Sequence, residues 1–227
     1  MKAAELLVLE PLGRVSQVGG TVADFKSYAD FGHAVAASEI PAGVRWVMYD
    51  NERWPQTPVS EQENPAHYEA LFAGLAHLHG YKVILAPAQD LVFGLTKPGV
   101  SASSPAWQRY LALGLATASA RAGDMFEIQA QSDELGQYRS AATYTTFVSK
   151  AAAQARAANS RVVILAGLST QRVTSASQLA QDFTATRSLV AGYWLNIPGS
   201  AQPGPLGIAE GFLDGPQSPG ANCPSAR

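Results

Sequence analysis

A single cysteine, Cys223, stands in the whole chain, within a C-terminal stretch rich in Pro, Gly and Ser. An internal disulfide and a multi-cysteine metal site are therefore excluded, and no metal centre is expected. Charge is also scarce: Asp, Glu, Lys and Arg make up 15% of 227 residues, with 16 basic against 18 acidic side chains and a net charge of -2. No Lys/Arg cluster could follow a phosphate backbone, so nucleic acid is not an expected partner. Long apolar runs are missing as well. Val162 to Leu168 is among the longest, and it falls far short of the roughly 20 residues that span a bilayer, so no membrane segment is expected. Neither GxGxxG nor GxxxxGK[ST] occurs, which removes the common nucleotide-cofactor fingerprints and leaves no cofactor expected. The first residues, MKAAELLVLEPLG, carry one Lys and an apolar run broken by Glu5 and Glu10, without a small-residue cleavage site. That is not a signal peptide, although a secreted chain stripped of its leader would read the same way. Compartment and oligomeric state stay open.

What the chain has is alternation. From residue 44 onward an apolar strand, a polar turn and a helix of roughly 3.6-residue period recur. The pattern predicts strands at about 5–10, 44–50, 82–87, 125–131, 161–167 and 190–197, with helices at about 65–79, 104–122, 140–158 and 175–187. Asn64 before Pro65 and Ser104 before Pro105 read as helix starts. Gly80 and Gly123 read as left-handed stops. Residues 11–43 lack a clear period; Tyr28 to Ala37 could be helical, and one or two strands could hide there. Repeated βα units imply an α/β fold with a parallel sheet. The polar face of MFEIQAQ suits a small TIM-like (β/α)8 barrel, complete or one strand short at seven, better than the alternative, a doubly wound open sheet. The expected organisation is one barrel domain over residues 1–198, followed by a loop, a short helix and an irregular tail over 199–227.

Barrel enzymes carry their chemistry where the strands end. The strand at 44–50 runs VRWVMYD and stops in two acids, Asp50 and Glu52, which the strand's two-residue repeat puts on one side. Burying paired carboxylates costs several kcal/mol unless they are used or neutralised, so these two are the first candidates for acid/base catalysis, with Glu127 as a third. Other strand ends supply Gln89 and Asp90, Gln129 and Gln131, Ser169 and Thr170, and Tyr193, Trp194 and Asn196. The loop RWPQTPVSEQENP adds Trp54, Gln56 and Glu61-Gln62 as a substrate rim. Acids, amides and aromatics together suit a saccharide, whose hydroxyls need paired partners and whose apolar face stacks on a ring. The expected substrate-binding set is Trp54, Asp90, Gln129, Gln131, Tyr193, Trp194 and Asn196, beside catalytic Glu52, Asp50 and Glu127.

The run Asp50-Asn51-Glu52 at a strand end resembles the close of the signature of family 18 chitinase-like glycoside hydrolases, and Trp194 resembles their pocket-floor tryptophan. The earlier acidic positions of that signature hold Met48 and Arg45 here. The resemblance implies Glu52 as proton donor and Asp50 as the group that orients a substrate acetamido. YDNERWPQTPVSEQ is similar to a motif of small bacterial (β/α)-barrel proteins, which implies the fold and supplies no activity.

Each candidate also has a plain structural reading. Asp50 or Glu52 could cap a loop or pair with Arg45 or Arg53, Glu127 could neutralise a buried cation, Gln129 and Gln131 could form an amide cluster, and Tyr193 could be core. His67, His77 and His79 fall on one helix and form no ligand set. The sequence thus points to a carbohydrate-active, glycosidase-like hydrolase acting on a saccharide or small molecule. A barrel that binds such a ligand without turning it over, and a metal-independent lyase or isomerase, are the alternatives.

Overall fold

The computed structural model describes residues 4–9, 15–134, 140–171, 173, 175–197 and 203–213. Seven strands form one sheet in the order β1-β2-β3-β4-β5-β6-β7. They are β1 Ala4–Leu9, β2 Val15–Phe25, β3 Trp46–Tyr49, β4 Lys82–Leu85, β5 Met125–Ile128, β6 Val163–Ser169 and β7 Gly192–Asn196. β2 pairs parallel to β3, β3 to β4, β4 to β5 and β6 to β7. From β2 onward the strands are laid down in sequence order with helices between them, as in a singly wound (β/α) barrel; a doubly wound sheet would reverse its order at a switch point. The architecture is α/β, an incomplete TIM-like barrel. The helices are α1 Tyr28–Ala36, α2 Val59–Glu63, α3 Pro65–Leu78, α4 Ala106–Leu113, α5 Leu115–Ala122, α6 Ala141–Ala158, α7 Ala176–Thr186 and α8 Pro203–Leu213. Among the described residues no helix is long and apolar enough to cross a membrane.

The expected elements recur with shifts that have physical causes. β2 and α1 fill the stretch that lacked a period. The helix expected over 104–122 is two, because Gly114 sits at φ 82° and breaks it. Ser104 is not its cap: Pro105 holds that position in extended backbone, and α4 starts at Ala106. Asn64 precedes Pro65 as expected, but its side chain makes no capping bond. Gly80 is left-handed at φ 78°, whereas Gly123 is extended at φ -90°. Glycine is needed at 123 for another reason: a Cβ there would lie 2.8 Å from the Met125 carbonyl oxygen and 3.1 Å from Leu85 Cγ.

The described chain divides into two compact units, one holding Gly19–Ile128 and Lys150–Ile164, the other Gln129–Ser149 and the residues from Leu165 onward. In the first, Ala23 and Phe25, Val47 and Tyr49, and Val83 and Leu85 point from β2, β3 and β4 to one side and pack with Phe31, Ala34, Phe72, Ala73 and Ala76 of α1 and α3. Phe72 is the centre of this core. Its ring stacks on Phe31 at 4.2 Å and on Tyr49 at 4.9 Å, and meets Phe25 at 6.3 Å. In the second unit α8 packs on α7, with Phe212 edge-on to Phe183 at 5.6 Å. Phe72→Ala is expected to destabilise the fold by roughly 3–5 kcal/mol, read as a lower urea midpoint at unchanged slope.

Candidate active site

Because Ala23, Phe25, Val47, Tyr49, Val83 and Leu85 face the helices, the residues between them face the opposite way. The register Asp24↔Met48, Met48↔Ile84 and Ile84↔Met125 makes one row on that face. One step further on, Lys26, Asp50, Ala86 and Glu127 follow, and Asp50 N–H still bonds the Phe25 carbonyl at 2.9 Å, carrying the ladder past the end of β3. Lys26 and Asp50 therefore meet side by side. The lysine ammonium bridges Asp24 Oδ2, at 2.5 Å, and Asp50 Oδ2. It also stands 5.1 Å from the centre of the Trp54 ring.

Glu52 follows Asp50 on the same side and hydrogen-bonds to it. Burial, the charge of Asp50 and the charge of Asp90 together push the Glu52 carboxyl up to about 8, against a smaller opposing pull from Lys26. Asp24 is pushed up to about 6, mainly by burial and then by Asp50, with Lys26 again opposing. For Lys26 burial works against the charged form, but Asp50 and Asp24 outweigh it and the net shift is upward. Near neutral pH Glu52 keeps its proton beside Asp50, which is itself bound to the Lys26 ammonium. That is a proton donor beside a carboxyl fixed by a cation.

The loop after β3 is pinned from several directions. Thr57 Oγ1 donates to the Lys26 carbonyl at 2.6 Å and accepts from Trp54 Nε1 at 2.9 Å and from Glu52 N–H at 3.4 Å. Gln62 Nε2 donates to the carbonyls of Trp54 at 3.0 Å and Thr57 at 2.6 Å. Arg53 N–H donates to Asp90 Oδ1 at 2.9 Å, drawing that acid into the cluster. Asp90 is the second residue of a 3₁₀ turn, Gln89–Phe93, in which Gln89, Leu91 and Val92 are buried while Phe93 is 58% exposed. Residues three apart eclipse in such a turn, so Asp90 and Phe93 share its outer edge, roughly 6 Å apart along the axis. The guanidinium of Arg109, 5.5 Å from the Phe93 ring, donates to the Val92 carbonyl at 2.5 Å and backs that turn.

The sequence-predicted residues are sorted by this geometry. Asp50, Glu52, Asp90 and Trp54 are brought together. Glu127 shares their face of the sheet, fully buried on β5, two strand spacings or roughly 10 Å from Asp50. Glu61, expected at a substrate rim, is 2% exposed and structural: it accepts from Tyr28 N–H at 2.7 Å and Ala29 N–H at 3.2 Å, the start of α1, and from Tyr49 Oη at 2.6 Å. Gln62 likewise turns inward, while Gln56 is exposed. Gln89 is buried.

β5 ends at Ile128, before Gln129, and Gln131, in the other unit, opens a short 3₁₀ turn rather than extending the strand. Ser169 and Thr170 are buried, and Ser169 N–H bonds Glu134 Oε1 at 2.6 Å. Trp194 and Asn196 lie on one face of β7, Trp194 half-buried and Asn196 exposed. Tyr193 does not join them. The two-residue repeat turns it to the helix side, where it is 2% exposed, donates to the Phe183 carbonyl at 3.0 Å and lies 2.8 Å from Thr186 Oγ1. It is a core residue.

Sequence reading missed Asp24, Lys26 and Thr57. The signal for the first two was the alternation Val22, Asp24, Lys26 against Ala23, Phe25, running into Ser27, whose hydroxyl caps α1 through Asp30 N–H at 3.0 Å. Among the described residues no group of three His, Cys, Asp or Glu side chains is arranged to hold a metal ion.

No family model matches the chain, and no curated protein sequence matches it. Among solved structures it is similar to a 2,3-dimethylmalate lyase, a PEP mutase/isocitrate lyase superfamily member, with TM-score 0.47 and 12% identity over 85% of this chain and 60% of that one. It is also similar to an endo-1,4-beta-mannanase from Eisenia fetida, with TM-score 0.44 and 12% identity over 85% of this chain and 72% of that one. The chain thus spans 60% of the lyase's length. Neither likeness bears on the chitinase-like signature or on YDNERWPQTPVSEQ.

Buried acids make folding depend on pH. Glu69, on α3, is 1% exposed, takes bonds from Ser119 Oγ at 3.1 and 3.0 Å, and is pushed by burial up to about 8. Its folded value, like that of Glu52, lies above the ordinary 4.5. The unfolded chain therefore releases these protons first, and the stability they contribute below pH 4.5 is lost as pH rises towards about 8. Denaturant titrations between pH 5 and 8 should show falling stability, and Glu69→Gln should flatten that slope. A slope unchanged in the variant would show that Glu69 is not its source.

Proposed function

We propose that the cluster is the proton-transfer centre of a glycosidase-like hydrolase, with Glu52 as the acid. The observation that carries this reading is the gathering of Glu52, Asp50 and Asp90 at the strand ends, with Asp50 anchored by Lys26, where burial and the neighbouring acids push the Glu52 carboxyl up to about 8. In the proposed step Glu52 gives its proton to the glycosidic oxygen, the bond from that oxygen to the anomeric carbon breaks, and water supplies hydroxide to the carbon and a proton back to Glu52.

The pair is in hydrogen-bond contact, closer than the about 5 Å separation of a retaining acid and nucleophile or the ~6.5–9.5 Å of an inverting pair. Asp50 is therefore the orienting partner rather than the group that attacks the opposite face of the sugar. That leaves the second role to another carboxylate, such as Glu127 or Asp90, or to a substrate acetamido held by Asp50, as the chitinase-like signature implies. Trp54 and the exposed Phe93 offer ring faces for the apolar side of a sugar. One face of Trp54 already meets Lys26.

Glu52→Gln keeps shape and hydrogen-bonding capacity but has no proton to give. Against a panel of β- and α-linked oligosaccharides the variant is expected to lose 10²–10⁴-fold in turnover while binding is kept. In the wild type, kcat/KM should fall as pH rises through about 8, where Glu52 ionises. Full turnover in Glu52→Gln would remove Glu52 from the mechanism, and saccharide binding without product in the wild type would favour a binding barrel.

A further inference from the structure

We infer that Lys26 is a positioning residue that assigns the proton shared by Asp50 and Glu52 to Glu52, so that a lysine on β2 decides which of two acids on the next strand is the donor. The inference rests on the reading of Glu52 as an acid and deepens it.

The argument is geometric. Two carboxyl groups joined by a hydrogen bond share one proton, and the proton resides on whichever oxygen is less stabilised as an anion. Lys26 is ion-paired with Asp50 and Asp24, and it acts on Glu52 through its charge, as a smaller influence than burial, Asp50 or Asp90. Its charge therefore favours ionisation at Asp50 more than at Glu52. On the other side Asp90, fixed by Arg53 N–H at 2.9 Å, places a second anion against Glu52. Of the charged groups that face the pair from neighbouring elements, Lys26 on β2 favours the anion at Asp50 and Asp90 from the turn after β4 disfavours it at Glu52, while Asp24 on β2 repels Asp50 and is itself held by the same ammonium. Arg53, the cation on the loop after β3, is exposed.

The lysine is also held in place. Its carbonyl takes the Thr57 hydroxyl at 2.6 Å and its ammonium lies over Trp54, so the segment that carries Glu52 and the cation that polarises its partner are tied to each other. Lys26 need not touch substrate to control the reaction.

The test is a carboxyl ¹³C NMR titration of Asp50 and Glu52, which requires no substrate. In the wild type the proton lost as pH rises through about 8 should come from Glu52. In Lys26→Met, Asp50 should titrate together with Glu52 and the shared proton should be lost at least one pH unit higher, while Lys26→Arg restores the wild-type pattern. If Lys26→Met does not fold, Lys26→Gln is read in the same way. With a substrate in hand, the neutral variants should lose more than tenfold in kcat with KM within twofold, and their alkaline limb should move up with the NMR titration. Asp50 and Glu52 titrations unmoved in the neutral variant would overturn the inference. A Lys26-dependent proton position in a protein that cleaves no glycan would uphold the inference and sink the hydrolase reading instead.

Discussion

One ammonium among four carboxyl groups is the constraint around which the first unit is arranged. Asp24, Asp50, Glu52 and Asp90 converge where β2, β3 and β4 end, and Lys26 stands between the first two. Two partly buried carboxylates side by side would repel at a cost of several kcal/mol in a medium of reduced dielectric. Here the repulsion is relieved in two ways: Lys26 compensates Asp50 and Asp24, and Glu52 keeps its proton. The second relief leaves an acid with a proton to donate near neutral pH.

The surroundings of the cluster are structural in a strict sense. Thr57, Gln62 and Glu61 use their polar atoms on backbone groups and on Tyr49, so the loop carrying Glu52 is bonded both to the end of β2 and to the start of α1. Tyr49 in turn stacks on Phe72 at 4.9 Å, in the middle of the apolar core. The acids thus rest on a well-packed layer one residue beneath them. Rigid support of this kind lets a hydrogen-bonded carboxyl pair keep its geometry without a bound ligand.

How much of this was legible varies by element. Strands β3 to β7 were readable because apolar runs bounded by turn residues leave little else for the chain to do. β2 was not, because Val15–Phe25 contains Gly19 and Gly20 and a charged end, and its alternation emerges only over the last five residues. Asp50 and Glu52 were legible as acids on one side of a strand end, and Asp90 as the acid after the next strand. Their common ammonium was invisible, since Lys26 is 24 residues from Asp50 in the chain. Tyr193 was misplaced by one residue of parity, which in a strand is the difference between core and site. Glu61 was misread because a glutamate in a polar loop looks exposed until the helix start it caps is known.

What the sequence by itself determined is the order of elements, the α/β class and the face on which Asp50 and Glu52 project, because these follow from local periodicity and from the alternation of side chains along a strand. What only the tertiary structure decided is which charges meet. The parallel register of β2 with β3 sets Lys26 against Asp50, and the loop bonds through Thr57 and Asp90 close the cluster around Glu52. Contacts between distant segments are fixed by sheet register and packing, which no local pattern of residues encodes.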